Sequence, residues 1–461
     1  MRVRISPHPF SGTVRIPTSK SHTIRRLIIA SLADGVSEII HPLDSLDIQS
    51  CVAACRAFGA EITECRIPAS KSADKSHSKA AADTGLVSYT VRGNNGFKNG
   101  VGHRFIDVGN SGTTLFFTLA AAGLGTEAFE ITGDDQIQRR SAAPLLEALS
   151  GLGIRAESLK GNGCAPFIVQ GPWKGGQVSL PCQTSQYLSA ILLAAPLAPA
   201  GTITGITVPL LNERPYIEMT LACLDAQGIR REAAPDFSRF EIPGGATWKP
   251  FSCPISGDFS SAAFPACAAA IAGGPVTILG LDPDDPQGDK FFLEILARMG
   301  CEVCWKKNHS ADTENAAEWA VTVFRSGPLR GGSFDLNAAP DLLPAAAAAA
   351  AFAQGDTVLF NVAHARVKET DRIAVMTAEL ARLGVHCTER QDGLIIHGGG
   401  LSGVSGGLIN GHGDHRIVMA FAAAALAAKT PIEIDSAECT AVSYPGFLEL
   451  MEARILSEQP A

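Results

Sequence analysis

Basic residues stand at several positions where the sequence predicts that a helix begins. Lys20 and Arg25 lie in "SKSHTIRR", before the apolar run of residues 27–33, and Arg416 follows "GDH" before another such run. The helix macrodipole already places partial positive charge at this end, so a cation there costs stability unless an anion lies nearby. Backbone N–H groups at a helix start can bind the same anion. The pattern therefore predicts a site for a multiply anionic ligand, without which the cations would repel one another.

Two further segments place cations beside predicted helix starts. "GDDQIQRRS" follows a strand-like run and places Arg139 and Arg140 where an amphipathic helix is predicted to begin. In "ARVKETDRIAVMTAELARLG" apolar residues recur at helical spacing, which puts Lys368 and Arg372 on the first turn with Glu369 beside them. Taken alone, a ladder of surface salt bridges is the simpler interpretation of this last segment.

The elements that must position these residues form a sixfold repeat. Small-residue helices recur, each followed by a short β-type run, and most of these strands precede a second, amphipathic helix that ends in glycine. Polar or glycine-bearing turns precede the small-residue helices near positions 20, 112, 185, 260, 341 and 415. Six such units indicate two similar halves of three units, with the alanine-rich helices buried inside each half. For "GDFSS" an ordinary N-cap is the simpler interpretation.

Two segments interrupt the repeat. Residues 67–85, "IPASKSADKSHSKAAADTG", are rich in serine, lysine and alanine and cannot bury a core, so we predict a mobile loop there. Residues 306–318, "KKNHSADTENAAE", are predicted to form a smaller surface excursion. The first insertion accounts for the longer spacing between the first and second units.

Composition argues against several classes of partner and cofactor. With 38 basic and 46 acidic side chains the net charge is −8, so neither nucleic acid nor an anionic membrane is an expected partner. The start "MRVRISPHPFSG" lacks the apolar run of a signal peptide, and the twelve cysteines are scattered through apolar stretches. We therefore expect reduced, mostly buried thiols and a cytoplasmic location. Nucleotide-binding glycine motifs and complete zinc-ligand sets are absent from the sequence, so no metal or cofactor is expected.

Together these motifs resemble those of one family, the 3-phosphoshikimate 1-carboxyvinyltransferases, also called EPSP synthases. The matching segments are "SKSHTIRRLIIASLADG", "GNSGTT", "TSQYLSAILLAAPLA", "RPYIEMTL", "GDFSSAAF", "DLNAAPDLLP", "RVKETDR", "GDHRIVMAF" and "AVSYPGF". They occur in the family's order from residue 19 to residue 447. The resemblance implies an α/β (α+β) fold with two similar domains, each of three βαβαββ units like an inverse α/β barrel, and an active site in the cleft between them. The implied domains are residues 20–256 and residues 1–19 with 257–461.

The resemblance also implies a reaction. The enolpyruvyl group of phosphoenolpyruvate would pass to the 5-hydroxyl of shikimate 3-phosphate through a tetrahedral intermediate, with release of phosphate, on the shikimate pathway to chorismate and the aromatic amino acids. This addition and elimination needs acid–base groups and neutralisation of phosphate and carboxylate charge, and no metal or redox cofactor. A monomer with these two small-molecule substrates is expected. Glyphosate, which resembles phosphoenolpyruvate, should inhibit, because Gly112 leaves room for it.

The resemblance assigns roles to individual residues. It implies proton transfer by Asp341, near the attacking hydroxyl, and by Glu369, near the enol methylene, with Lys20 as phosphate ligand and proton carrier. The expected ligands of shikimate 3-phosphate are Lys20, Ser21, Arg25, Thr184, Ser185, Gln186, Asp341 and Lys368. The expected ligands of phosphoenolpyruvate are Lys20, Asn110, Gly112, Arg140, Gln186, Arg372 and Arg416. Further candidates are Arg214, His364 and His415, the last being explained equally well as a structural histidine.

Four positions depart from the family's pattern. Phe116 stands where many members carry an arginine, and Val442 stands where some carry a lysine that helps to bind phosphoenolpyruvate. Ser141 replaces the proline of an arginine–proline pair. Glu213 replaces the serine that often precedes the "RPY" arginine, which makes Arg214 the candidate there. A missing cation predicts weaker binding of phosphoenolpyruvate.

Two other functions stay open at this point. A UDP-N-acetylglucosamine enolpyruvyl transferase would share the fold and the donor substrate but needs a reactive cysteine on a loop, for which Cys164 in "GNGCAP" is only a partial candidate. A non-catalytic protein that binds a phosphorylated metabolite would retain the cations and lose the carboxylates. Both Asp341 and Glu369 are present, which favours an enzyme.

Overall fold

The computed structural model describes residues 1–67, 86–97, 103–308 and 318–456. Residues 68–85 of the predicted loop and 309–317 of the predicted excursion lie outside the described residues. The described chain divides into two compact units. Unit 1 holds residues 1–18, 256–308 and 318–456, and unit 2 holds residues 19–67, 86–97 and 103–255. The domain boundaries predicted from the sequence lie one residue later at both junctions.

The described residues form twenty-four strands and twelve α-helices. The strands are β1 (Arg2–Ile5), β2 (Gly12–Arg15), β3 (Val36–Ile40), β4 (Glu61–Ile67), β5 (Leu86–Arg92), β6 (Phe105–Asp107), β7 (Phe129–Thr132), β8 (Arg155–Ser158), β9 (Phe167–Gln170), β10 (Gly176–Ser179), β11 (Ile203–Thr207), β12 (Glu232–Ala233), β13 (Arg239–Pro243), β14 (Ser252–Pro254), β15 (Val276–Leu279), β16 (Cys301–Asn308), β17 (Glu318–Arg325), β18 (Ser333–Asp335), β19 (Gln354–Phe360), β20 (His386–Arg390), β21 (Gly393–Gly399), β22 (Gly407–Asn410), β23 (Ile432–Asp435) and β24 (Arg454–Leu456). The helices are α1 (Lys20–Leu32), α2 (Leu46–Ala57), α3 (Gly112–Ala122), α4 (Ala143–Gly151), α5 (Ser185–Ala194), α6 (Arg214–Ala226), α7 (Phe259–Ala272), α8 (Phe291–Arg298), α9 (Leu343–Ala351), α10 (Arg372–Arg382), α11 (His415–Ala425) and α12 (Phe447–Leu450).

These strands form six four-stranded sheets of one design. In unit 2 the strand orders are β14-β3-β5-β4, β6-β7-β9-β8 and β10-β11-β13-β12, and in unit 1 they are β2-β15-β17-β16, β18-β19-β21-β20 and β22-β23-β1-β24. In every sheet the first pair is parallel and the next two pairs are antiparallel. The predicted sixfold repeat and the mixed α/β fold are confirmed.

The small-residue helices form the centre of each unit. In unit 1, α7, α9 and α11 pack on one another, and nearly every residue in them is buried. Alanine side chains let these helices approach closely and keep helix propensity high. In unit 2, α3 packs on both α1 and α5; nearly every residue of α3 and α5 is buried, and most residues of α1 are. The predicted burial of the alanine-rich helices is therefore confirmed, and several candidate residues lie at or just before their N-terminal turns.

Two other sequence expectations concern thiols and membranes. All twelve cysteines fall in the described residues, none pairs in a disulfide, and most are buried, although Cys65 and Cys304 are exposed. No helix in the described ranges has both the length and the apolar character needed to cross a bilayer.

The dense packing of unit 1 predicts low tolerance for added volume. Ala347, in the middle of α9, is fully buried, so Ala347→Leu should lower the free energy of unfolding by about 2 kcal/mol through overpacking. Ala381→Leu on α10 is the matched control, because Ala381 is exposed on a helix of the same unit. Urea denaturation of both variants measures the difference. Equal stability of the two variants would contradict the close packing of these helices.

Candidate functional site

Arg372 lies at the centre of a buried ionic cluster in unit 1. It is the first residue of α10, and none of its surface is exposed. Its guanidinium donates from Nη1 to Asp341 Oδ1 at 2.7 Å and from Nη2 to Glu369 Oε2 at 2.5 Å. It also donates from Nε to Asp414 Oδ2 at 2.8 Å. One buried cation therefore binds three carboxylates, two of which the sequence analysis assigned to proton transfer.

Asp341 joins this arginine to a second one. Its other oxygen, Oδ2, lies 2.8 Å from Nη1 of Arg416, which is also nearly buried. Burial alone would raise the pKa of Asp341, but the positive charges of Arg416, Lys368 and Arg372 outweigh burial and hold that pKa well below its usual value. Asp341 is therefore ionised at neutral pH. The structure brings together Asp341, Lys368, Glu369, Arg372 and Arg416, as predicted for residues of one site.

Local capping places these groups. Asp371 is the N-cap of α10 and accepts from the backbone N of Ala374 at 3.0 Å, so the helix begins at Arg372. Asp414 is the N-cap of α11 and accepts from the backbone N of Arg416 at 3.0 Å. Since Asp414 also binds Arg372, this aspartate ties the starts of two helices together. Buried Arg372 keeps the pKa of Asp414 below its usual value against the opposing effect of burial.

Part of the prediction for "RVKETDR" is wrong. Lys368 and Glu369 do not lie on the first turn of α10: they follow a 3-10 helix at residues 363–367 and precede the cap Asp371. The predicted helix began too early, because the cap residue Asp371 and not the apolar pattern determines where α10 starts. The interpretation as a surface salt-bridge ladder is also wrong for Arg372, which is buried, although Arg366 does pair on the surface with Asp371.

In unit 2 a second set of candidates meets at the start of α3. Gly112 is the first residue of this helix, and a Cβ added there would clash with Nη1 of Arg140. Gln186, near the start of α5, donates to the hydroxyl of Thr113 at 2.8 Å. Gly112, Arg140 and Gln186 are thus brought together as predicted. Asn110, just before α3, donates to Asp134 Oδ2 at 2.6 Å.

Contrary to the sequence prediction, Arg139 and Arg140 do not lie at the start of a helix. Arg139 ends a 3-10 helix and Arg140 is extended, whereas α4 begins at Ala143. These arginines therefore precede α4 instead of occupying its first turn. The guanidinium of Arg140 faces the N-terminus of α3, a helix from an earlier stretch of the chain, which local periodicity could not indicate.

The cations of α1 are also already engaged. Lys20 Nζ lies 2.8 Å from Asp47 Oδ2, in a pair that is largely buried. Arg25 is buried and donates to the hydroxyl of Thr220 at 2.9 Å and to the carbonyl oxygens of Ser21 at 3.0 Å and Tyr216 at 2.9 Å. Arg25 thus joins α1 to α6 through neutral acceptors.

Thr184 and Ser185, at the start of α5, bind the carboxylate of Glu213. The Glu213 Oε2 atom accepts from Thr184 Oγ1 at 3.0 Å, from Ser185 Oγ at 2.7 Å and from the Ser185 backbone N at 2.9 Å. These are the donors that the resemblance assigns to shikimate 3-phosphate. A carboxylate of the chain stands at the predicted anion site.

Several of the clustered cations are paired with carboxylates of the chain, which the sequence analysis did not predict. In unit 1, Asp341, Glu369 and Asp414 neutralise the buried arginines, and in unit 2, Asp47 neutralises Lys20. Asp47 and Asp414 were missed as members of the site. The sequence could have indicated Asp414, because an aspartate directly before a helix start is typical of an N-cap. It could not have indicated Asp47, because this residue pairs with a lysine 27 residues away.

The remaining candidates lie as follows. Arg214 is exposed, pairs with Glu218 at 3.1 Å and stacks over the Phe237 ring at 4.2 Å. His364 and His415 are both buried, in the 3-10 helix before Lys368 and at the first position of α11. "GDFSS" is an N-cap, as its simpler interpretation held: Asp258 accepts from the Ser261 backbone N at 3.0 Å.

Two of the four positions that depart from the family pattern, Phe116 and Ser141, both contact the side chain of Tyr187. The Phe116 ring packs edge-on against the Tyr187 ring, with centroids 5.0 Å apart. The Tyr187 hydroxyl donates to the backbone oxygen of Ser141 at 2.7 Å. Phe116 is buried, so this position contributes packing in place of the arginine of other members.

Comparison with known proteins identifies relatives along the whole chain. A sequence model of the family described as EPSP synthase (3-phosphoshikimate 1-carboxyvinyltransferase) matches residues 5–451. The chain is 43% identical over 451 residues to the 3-phosphoshikimate 1-carboxyvinyltransferase of Acetivibrio thermocellus, covering 98% of this chain and 97% of the relative. It is 42% identical over 453 residues to the protein of that name from Ruminiclostridium cellulolyticum, covering 98% of each. A structure of EPSP synthase from Acinetobacter baumannii superposes with a TM-score of 0.76 at 28% identity, covering 98% of this chain and 97% of the other.

The ionic cluster predicts acid-dependent stability. Asp414→Asn removes one partner of buried Arg372 and should lower the free energy of unfolding at pH 7 by about 3 kcal/mol. Because the pKa of Asp414 is lowered by folding, its contribution is fully present above its unfolded pKa of about 4 and is lost as the pH falls through the folded value. The deficit of the variant should therefore shrink below about pH 4. Urea denaturation across this range measures it.

The control is Asp284→Asn, which removes an exposed carboxylate from unit 1. It should leave stability nearly unchanged at every pH. A deficit for Asp414→Asn that stays constant down to acid pH would show that the ion pair with Arg372 is not its cause.

Proposed function

Because the chain belongs to the EPSP synthase family, we propose that it transfers the enolpyruvyl group of phosphoenolpyruvate to the 5-hydroxyl of shikimate 3-phosphate and releases phosphate. The family match over residues 5–451 carries the proposal. The ionic cluster supports it, because Asp341 and Glu369 are both retained among the cations. A protein that only bound a phosphorylated metabolite would need the cations alone.

The chemistry requires two proton movements. The 5-hydroxyl loses a proton as its oxygen bonds to C2 of phosphoenolpyruvate, while C3 gains one, which gives a tetrahedral intermediate. Loss of the C3 proton and departure of phosphate from C2 then restore the double bond. We assign the hydroxyl proton to Asp341 and the C3 proton to Glu369, with Lys20 as proton carrier and phosphate ligand.

The arginines are proposed to exchange one set of anions for another. In the structure, Arg372 and Arg416 bind carboxylates of the chain, and Asp341 is shared between them. The carboxylate and phosphate of phosphoenolpyruvate would take over part of this pairing. Asp341 would then lose stabilising positive charge, so its pKa would rise and it would become a better base for the hydroxyl proton. Substrate binding would thus prepare the carboxylate for its step.

The remaining residues are proposed as ligands. For phosphoenolpyruvate the set is Lys20, Asn110, Gly112, Arg140, Gln186, Arg372 and Arg416. For shikimate 3-phosphate the set is Lys20, Ser21, Thr184, Ser185, Gln186, Asp341 and Lys368. Arg25 is assigned to this second site as a positioning residue, since its Nη1 group donates to the Ser21 carbonyl. A cytoplasmic location, a monomeric state and inhibition by glyphosate stay predictions.

A phosphate-release assay tests the function directly. Phosphate should appear only when phosphoenolpyruvate and shikimate 3-phosphate are both present. Release with UDP-N-acetylglucosamine as acceptor instead would identify the sister activity. Binding of both substrates without release would identify a non-catalytic binding protein.

Glu369 gives a sharper test of mechanism. Glu369→Gln retains the shape of the side chain but removes its proton-transfer capacity, so kcat should fall by about 100-fold while binding of shikimate 3-phosphate changes little. Steady-state kinetics and calorimetric titration measure the two quantities. Glu302→Gln, on an exposed position of β16, is the matched control and should behave as the unmodified enzyme. Equal losses in turnover and binding would remove the proposed role.

Gly112 tests the phosphoenolpyruvate ligands of unit 2. The added Cβ of Gly112→Ala would clash with the guanidinium of Arg140, which must move, so KM for phosphoenolpyruvate should rise by about tenfold. Gly327→Ala is the control, because a Cβ at Gly327 meets nothing within 4 Å. An unchanged KM in Gly112→Ala would argue that Arg140 does not bind this substrate.

A further inference from the structure

Glu213 is a buried carboxylate whose side chain lies at the N-terminus of α5, although it belongs to a later segment of the chain. Only 2% of its surface is exposed, and one carboxylate oxygen accepts three hydrogen bonds from Thr184 and Ser185. Charge-assisted hydrogen bonds to a helix start stabilise a carboxylate strongly. The arrangement has the chemistry of a bound anion, except that the anion belongs to the chain itself.

The backbone of Glu213 shows that this contact is not incidental. Glu213 has φ 59° and ψ 40°, in the left-handed region, which a residue with a side chain adopts at a cost of about 1 kcal/mol or more. It is the N-cap of α6, and Pro215 follows within the first turn of that helix. Such a conformation persists only where the surroundings fix it. The hydrogen bonds to the start of α5 are among the contacts that hold Glu213 in place.

We propose that Glu213 is an internal competitor for the phosphate of shikimate 3-phosphate. This inference rests on the proposed function, in which Thr184 and Ser185 bind that phosphate. The donors that would bind the phosphate bind the Glu213 carboxylate in the structure. Two anions cannot share these donors in a buried place, because their repulsion costs several kcal/mol. The carboxylate must therefore leave before the phosphate enters.

The competition acts on one part of one substrate. Displacing Glu213 lowers the net gain from the phosphate contacts, whereas a ligand without the phosphate has no need to displace it. Glu213 therefore weakens binding of the phosphorylated substrate selectively and leaves binding of unphosphorylated shikimate unchanged. It also keeps the start of α5 neutralised when no substrate is bound, as Asp47 does for Lys20.

The test uses the full-length protein and two substitutions. Glu213→Ser removes the carboxylate, and Glu213→Gln keeps the shape and the accepting oxygen but removes the charge. Glu218→Ser and Glu218→Gln are the matched controls, because Glu218 lies on the same helix α6, is only partly buried and pairs with Arg214. Calorimetric titration with shikimate 3-phosphate and with shikimate measures binding, and phosphate release measures turnover.

Both Glu213 variants should bind shikimate 3-phosphate about tenfold more tightly than the unmodified protein, a gain of about 1.4 kcal/mol, with no gain for shikimate. Unchanged or weaker binding of shikimate 3-phosphate would overturn the inference, and so would an equal gain for both ligands or in the Glu218 controls. If Glu213→Ser fails to fold, Glu213→Gln carries the test.

The outcome separates this inference from the function on which it rests. An unmodified protein that releases phosphate from both substrates, with no gain in the variants, would refute only the competition. An unmodified protein that neither binds shikimate 3-phosphate nor releases phosphate would refute the proposed function as well.

Discussion

A positive charge that water does not reach organises the core of the candidate site. The guanidinium of Arg372 is fully buried, and a charge in that position is tolerated only if it is paired and its N–H groups are bound. Asp341, Glu369 and Asp414 meet this demand from three different segments of unit 1. Because each carboxylate accepts from a different nitrogen of the guanidinium, Arg372 joins the segments that precede α9, α10 and α11.

The same solution recurs in unit 2 with different chemistry. Lys20 is paired with Asp47, and the donors at the start of α5 are taken by Glu213. Several of the groups proposed to bind substrate anions, Lys20, Arg372, Arg416 and the donors of Thr184 and Ser185, thus already bind carboxylates of the chain. Under the proposed function, substrate binding would be an exchange of anions, and the free energy gained from the substrate would be reduced by the pairs it breaks.

The repeat explains why anion sites are so numerous. Six units of one design present six buried helices, and in each case the turn before the helix supplies N–H groups that need acceptors. In "GDFSS" the acceptor is an ordinary cap, Asp258. At α5 the helix start instead donates a backbone N–H to a side chain from a distant segment, Glu213. Function therefore depends on what the tertiary structure adds to a common local motif.

Local sequence patterns predicted the repeat, the buried alanine-rich helices and the polar helix starts, because periodicity and capping act over a few residues. The order of the motifs along the chain indicated the family. Sequence could not show that Arg140 faces α3 instead of starting α4, that α10 begins only at Arg372, or that Asp47 and Glu213 occupy partners 27 and 28 residues away. The positions of Arg140, Asp47 and Glu213 come from contacts with groups that are remote along the chain, whereas the start of α10 is set by its local cap, Asp371. Such long-range contacts are decided by burial, which exists only once the helices have packed.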